Sequence, residues 1–239
     1  MQNHIDSLTE LLDRQTANEP EEAGMAILND LLRNDYWAAV AHAHLATIQA
    51  DIRLSYMLAR QSYKHVNGFR KLTLFDDATG RFRLRLHVWG TTQSDSHGNV
   101  HNHRFHCSSA ILKGQLANRA WALDEDTEAT HSHHLYIPRQ EQESYTLRFI
   151  GGARPIPTLR AALGPGKLYH QASHELHTSE ALEPGTLTLF IEDRLGLRDG
   201  ADVFSKRYPW MDMRVEAPSL SPTEYKAELG SFLKLWSGA

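Results

Sequence analysis

The sequence contains one cysteine, no long apolar run and no excess of basic residues, and each shortage excludes a class of protein. With Cys107 as its sole cysteine, the chain cannot form an internal disulfide, which is typical of the reducing cytoplasm, where we expect it. No segment approaches the roughly 20 apolar residues that span a bilayer, and the N-terminus lacks the pattern of a secretion signal. The formal charge of −4 argues against a nucleic-acid partner, because neutralising phosphates requires clustered basic residues.

The first third and the end of the chain carry helical patterns. Apolar residues recur at helical spacing in Ile5 to Leu12, Pro20 to Leu32 and Tyr36 to Ile48. Near the end, Ser221 and Glu224 have the spacing of a capping box, which predicts a short helix through Leu233 or Trp236. These helices are expected to pack against a larger unit.

That larger unit begins near residue 67, where the pattern changes to short alternating runs separated by turn signals. The predicted strands are Phe69 to Phe75, Arg81 to Trp89, His101 to Leu112, Gln115 to Trp121, His134 to Ile137, Tyr145 to Ile150, Lys167 to His177 and Thr186 to Glu192. Strands at this density indicate a β-sandwich or barrel. We therefore expect a mainly β domain over 67–212, a helical N-terminal extension over 1–66 and a C-terminal helical segment over 213–239.

The spacing of the histidines indicates a metal site. Side chains two apart in a strand share a face, so His101 and His103 point the same way. A second predicted strand offers a third imidazole from His170, His174 or His177. Three neutral imidazoles without a carboxylate leave positions open on an octahedral ion, which favours a small anionic substrate. Fe, Zn, Cu and Ni all accept such ligands.

The histidine pair and its surroundings resemble the first motif of the cupin superfamily. Three residues separate the pair from Cys107, which stands where most cupins have glutamate, and six more lead to Gly114. His174 matches the histidine of the second cupin motif best, because Thr178 falls at that motif's closing position. His177 is the alternative, since its opposite strand parity prevents both from facing one ion. The resemblance implies a single jelly-roll β-barrel and a homodimer.

Residues 80–107 are further similar to the core of the thiol dioxygenases, the cysteine dioxygenase-like branch of the cupins. This resemblance implies a non-haem Fe(II) dioxygenase acting on a small thiol or amino-acid-like substrate, with His101, His103 and His174 as ligands. It also implies that Arg70 grips the substrate carboxylate. Cys107 would lie beside the metal; the alternative is a small buried apolar residue.

Several alternatives stay open. Tyr169 is a candidate hydrogen-bond donor to a ligand, or it simply packs. Arg83 and Arg85 share one face of a strand and would replace or join Arg70 if that face lines the barrel. The histidines at 131, 133 and 134 are expected to be solvated. The alternative functions are a zinc- or nickel-dependent isomerase, lyase or biosynthetic tailoring enzyme, and a non-catalytic cupin that binds a small ligand.

Overall fold

The structure is a computed structural model that describes residues 7–12, 14–15, 23–90, 98–138 and 144–236. Its named helices are α1 (Ala23–Arg33), α2 (Asp35–Ala50), α3 (Ile52–Arg60) and α4 (Pro222–Trp236), and residues 7–12 and 14–15 are also helical. Its strands are β1 (Tyr63–Lys64), β2 (Phe69–Asp76), β3 (Phe82–Trp89), β4 (Val100–His101), β5 (His106–Lys113), β6 (Leu116–Leu123), β7 (His131–Pro138), β8 (Ser144–Ala153), β9 (Pro155–Leu163), β10 (Leu168–Gln171), β11 (Leu176–Ala181), β12 (Leu187–Asp193), β13 (Ala201–Ser205) and β14 (Met213–Glu216).

The strands form two antiparallel sheets that face each other in a jelly-roll-like barrel. The first sheet has six strands in the order β1-β2-β3-β12-β5-β10, and the second has eight in the order β14-β8-β7-β13-β4-β11-β6-β9. Helices precede the barrel and a short helix follows it. The predicted fold class, a mainly β barrel with these helical additions, is therefore confirmed.

The helices cover the outer face of the six-stranded sheet. Leu72, Leu86 and Leu189 on that face are fully buried in one cluster with Leu28 and Ile48 of the helices. Helix α1 comes so close to the sheet at Gly24 that a Cβ atom would lie 2.9 Å from the Ser108 hydroxyl. Both faces of this sheet are thus buried, which explains its nearly continuous burial along β2, β3 and β12.

Strand parity assigns the polar residues of the six-stranded sheet to its inner face. In β3, the leucines face the helices, whereas Arg83, Arg85 and His87 line a cavity between the two sheets. In β2, Lys71 lines the cavity, and its neighbour Arg70 points outward. Of the two placements left open for Arg83 and Arg85, a barrel-lining face and a solvent-exposed face, the structure shows the first.

Two predicted strands are broken at the site. The segment predicted as one strand from His101 to Leu112 is split into β4 and β5, and the segment from Lys167 to His177 is split into β10 and β11. In both cases the first and second pieces belong to different sheets, so each break is a crossing between the sheets. The helix and turn predictions at 5–6, 20–22 and 96–97 lie outside the described residues.

Four strands were missed, and proline explains one of them. Pro155 and Pro157 together with Gly151 and Gly152 predicted a turn, but the chain continues as β9. Proline is tolerated there because β9 pairs only with β6 and forms an edge of its sheet. The other three, β1, β13 and β14, have only two, five and four residues, too few for a pattern to stand out.

The C-terminal capping box is present as predicted. The Glu224 carboxylate accepts from the backbone N–H of Ser221 at 2.9 Å, and the Ser221 hydroxyl accepts from the backbone N–H of Glu224 at 3.2 Å. None of the helices in the described part of the chain has both the length and the apolar character that crossing a bilayer requires.

Candidate metal centre

Three histidines converge on one point at the cavity wall. One nitrogen from each of His101, His103 and His177 lies within 4.8 Å of the nitrogens of the other two. The Nε2 atoms of His103 and His177 are 2.9 Å apart. Within the described residues, this group contains no carboxylate and no thiol.

The neighbouring strands place these side chains. His177 in β11 lies directly opposite His101 in β4, and directly opposite residues of an antiparallel pair share a face. His103 follows β4 in the link to β5, where the backbone has left the strand. Its ring still meets the other two, with centroid distances of 5.1 Å to His101 and 4.9 Å to His177.

The third ligand predicted from the sequence, His174, does not lie at the site. His174 lies exposed in the turn between β10 and β11, and the alternative, His177, lies in the triad. The turn is held by the backbone N–H of Ala172, which donates to the Glu175 carboxylate at 2.8 Å. The polar run of Ser173, His174 and Glu175 is a turn signal that could have indicated the break.

Burial keeps the three imidazoles neutral, which is the form that binds a metal. It lowers the pKa of His101 to about 4, against a small opposing effect of the hydrogen bond to the Asn99 carbonyl. Burial, and then the neighbouring histidine and lysine side chains, hold the pKa values of His103 and His177 well below their ordinary range.

The donor atoms fit a single metal ion. The Nδ1–H of His101 donates to the Asn99 carbonyl at 2.8 Å, which leaves its Nε2 lone pair free for an ion. Two nitrogens held about 2.1 Å from one ion lie about 3.0 Å apart at right angles and about 3.4 Å apart at the tetrahedral angle. The observed 2.9 Å between the Nε2 atoms of His103 and His177 is short enough for both to bind the same ion.

A network on the outer side holds the histidine pair in place. The Asn102 side chain is buried between the two ligands and donates to the Asp202 carboxylate at 2.8 Å. Its carbonyl oxygen accepts from the backbone N–H of Asp202 at 2.7 Å. Asp202 also bonds His133 at 2.9 Å, so this histidine is structural, and the prediction of solvated histidines at 131–134 was wrong because they lie on β7.

We expect Asn102→Ala to weaken metal binding about tenfold, because residues that orient metal ligands typically contribute 10- to 100-fold to affinity. Competition against a chelator of known affinity measures the effect. Asn29→Ala on the exposed face of α1, away from the triad, is the matched control and should leave the affinity unchanged. Equal affinities in both variants would refute the positioning role of Asn102.

Arg70 does not reach the site. Its guanidinium lies outside the barrel and pairs with Glu228 of α4 at 3.0 Å, and its side chain is 39% exposed. The prediction failed because strand parity assigns the inner face to Lys71, one residue further along. Sequence reasoning considered Arg70 and missed Lys71.

Cys107 and Tyr169 differ in their access to the cavity. Cys107 is opposite Glu192 in the sheet, so it is on the inner face, but it is closed off from the cavity and only 1% exposed. Burial raises the pKa of its thiol, which keeps it uncharged. Tyr169 lines the cavity, and burial raises its pKa to about 12, so it stays a hydrogen-bond donor at neutral pH.

The cavity beside the triad has a volume of about 430 Å³, within the range of about 300–1,000 Å³ typical of sites for small ligands. Its described lining contains five cationic side chains and a single carboxylate, that of Glu192. The cationic side chains are Lys71, Arg83, Arg85, Arg104 and Arg194. The cavity is therefore suited to an anion.

No protein-family model matches the sequence, and no curated protein matches it. Among solved structures, KdgF from Halomonas sp. shares 14% identity with a TM-score of 0.32, over 55% of this chain and 85% of that protein. Hydroquinone 1,2-dioxygenase from Sphingomonas sp. TTNP3 shares 13% identity with a TM-score of 0.32, over 51% of this chain and 63% of that one. An oxalate decarboxylase variant from Bacillus subtilis shares 15% identity with a TM-score of 0.32, over 55% and 26%. At this level of similarity, we derive nothing about this chain's chemistry from these proteins.

Proposed function

We propose that this chain is a mononuclear metal-dependent enzyme that acts on a small anionic molecule, and that it is a non-haem Fe(II) dioxygenase. The observation that carries the proposal is the convergence of three neutral imidazoles, one buried and two half-buried, at the wall of a positively charged cavity. Three uncharged ligands leave the full 2+ charge on an ion and keep about half of its six positions open. Open positions beside a cavity suit catalysis better than a purely structural role.

Iron is the metal we propose, because a three-imidazole site with open positions suits an ion that binds substrate and dioxygen side by side. Ferrous iron bound here would bring dioxygen and the organic substrate together, and the substrate would supply the electrons that reduce the oxygen. The chain's own contribution is to bind and orient that substrate and to exclude bulk water.

The cavity residues can orient a bound anion and donate hydrogen bonds to it. Burial raises the pKa values of both Tyr169 and Tyr136 to about 12, so each phenol remains a donor at neutral pH. The rings of Phe105 and Phe190 lie against His103, with centroids 5.3 Å and 6.1 Å away, and form an apolar wall that limits water beside the triad.

The test begins with metal analysis of untagged protein purified without oxygen. We expect close to one iron per chain, and oxygen consumption when small thiols and amino-acid-like carboxylates are supplied to the iron-loaded protein. His103→Ala should lose both the iron and the oxygen uptake. Stoichiometric zinc or nickel with turnover in the absence of oxygen would instead identify an isomerase or lyase.

Protein that binds no metal even after reconstitution would overturn the proposal. Protein that binds the small molecules without converting them, under any metal, would show a non-catalytic binding role. His170→Ala provides the control, because His170 is a histidine of β10 outside the triad. It should keep both iron and activity.

A further inference from the structure

The charges that line the cavity are not equally available to a ligand. Arg85 and Arg194 share the two oxygens of the Glu192 carboxylate, and Arg83 and Arg194 pair with Asp76. These three arginines already have counterions. A ligand that entered the cavity would gain little from them, because their donors are engaged.

Lys71 is different, since no described carboxylate lies within ion-pair distance of its ammonium group. Lys71 is only 8% exposed and lies on the inner face of β2. The nitrogen lies over two rings, 5.7 Å from the centroid of Phe69 and 5.8 Å from that of Tyr63, which offsets part of the cost of burial. Because Lys71 is largely buried, lines the cavity and has no counterion among the described residues, an incoming anion would supply the missing partner for its charge.

Arg104 is the other cavity cation without a described carboxylate. It is half-buried, and its Nε already donates to the carbonyl oxygen of Arg198 at 2.7 Å. Lys71 is the more deeply buried of the two. It is therefore the stronger candidate to fix one end of a ligand.

His87 lies directly opposite Lys71 in the sheet and also faces the cavity. It is 5% exposed, and its Nε2 atom is buried without a hydrogen-bond partner. A buried imidazole nitrogen without a partner costs free energy unless a ligand or a water bonds to it. The adjacent pair of Lys71 and His87 thus offers a charge and a second polar contact on one patch of wall.

Flat rings surround this polar patch. The ring of Phe69 lies 4.3 Å from Trp89 and 4.9 Å from His87, and His87 is stacked on Phe190 at 4.6 Å. All of these side chains line the cavity. Rings packed in this way favour a planar apolar group over a strongly hydrated one.

We propose that Lys71 and His87 form the binding site for the carboxylate of a substrate with a flat, apolar body, such as an aryl carboxylic acid. Lys71 supplies the charge, His87 a hydrogen bond, and the neighbouring rings the apolar contact. The site deepens the proposed function by naming the substrate class, and it rests on that function only for what happens at the histidine triad.

The test measures binding of benzoate and phenylacetate, with benzamide and phenylacetamide as uncharged counterparts of the same shape. Quenching of tryptophan fluorescence reports occupancy, since Trp89 lines the cavity, and calorimetry confirms it. We expect saturable binding of at least one acid and much weaker binding of its amide. Lys71→Met should weaken binding of the acid roughly 10- to 100-fold, the range for a lost hydrogen bond to a charged group.

Lys64→Met is the matched control, because Lys64 is exposed and pairs with Glu224 outside the cavity. It should bind the acid as the unmodified protein does. Equal binding by Lys71→Met, equal binding of acid and amide, or no saturable binding of either acid would each overturn the proposal. Metal content measured in parallel separates the two proposals: Lys71→Met should keep its metal, and His177→Ala without metal should still bind the acid through Lys71.

Discussion

Replacing His177 by alanine is expected to abolish stoichiometric metal binding, whereas His174→Ala leaves it unchanged. His177 supplies one of the three converging nitrogens, and its loss leaves two neutral imidazoles, too few to hold an ion against dilution. His174 lies exposed in a turn outside the triad. Elemental analysis of both variants after dialysis measures the difference, which should approach one ion per chain.

The two variants control for each other, because each removes one imidazole from the same short segment. Circular dichroism should show the same secondary structure for both. Metal lost from His174→Ala and kept by His177→Ala would contradict the assignment of the third ligand and would restore the position predicted from the cupin resemblance.

Removing the Glu192 carboxylate should lower the free energy of unfolding by about 3–5 kcal/mol, the usual effect of leaving a buried charge without its partner. The Arg85 and Glu192 side chains are only 6% and 5% exposed. The same guanidinium donates to the Thr73 hydroxyl at 2.8 Å and the Gln61 carbonyl at 3.2 Å, so it cannot turn away. Glu192→Leu, measured by urea unfolding, tests this expectation.

Two comparisons sharpen the measurement. Arg85→Met combined with Glu192→Leu should recover much of the lost stability, because apolar replacement of a whole buried pair is often close to neutral. Lys64→Met disrupts the exposed pair with Glu224 and should change stability by less than about 1 kcal/mol. A Glu192→Leu variant as stable as the parent would contradict the structural role of the pair.

The same carboxylate predicts a pH dependence. Burial would raise the pKa of Glu192, but Arg85, Arg83 and Arg194 outweigh it and lower the pKa to about 2, against an ordinary value of 4.5. The contribution to stability is therefore complete above about pH 4.5 and is lost as the pH falls towards 2. In Glu192→Gln this part of the acid dependence should disappear.

The sequence was informative where the period of side chains decides the outcome. Alternation placed Arg83 and Arg85 on one face of β3, and the spacing of Ser221 and Glu224 located the start of α4. Prediction from the sequence failed where the chain crosses from one sheet to the other, because the alternation of side chains is interrupted there. His174 was preferred because it matches the second cupin motif, and strand parity allowed only one of His174 and His177 to face the ion. The chain turns at Ser173 and His174, so a motif position counted along one continuous strand does not apply there.

The missed residues have a related cause. Lys71 has no motif around it, and its position inside the barrel follows only from its pairing with His87 and Tyr63, which local sequence does not specify. The Asn102–Asp202 contact joins residues 100 positions apart, so no pattern near either residue indicates it. Such long-range contacts complete the site after local patterns have placed its first two ligands.

The triad lies where the chain passes between the two sheets, and this has a mechanical consequence. His101 and His177 belong to the eight-stranded sheet, and His103 stands on the link that leads into the six-stranded one. The backbone N–H of His103 donates to the carbonyl of Ser173 at 3.3 Å, which ties this link to the second crossing. An ion held by all three side chains would link the two crossings between the sheets. It would stabilise the closed barrel, and the free energy needed to separate the crossings would increase with the ion's affinity.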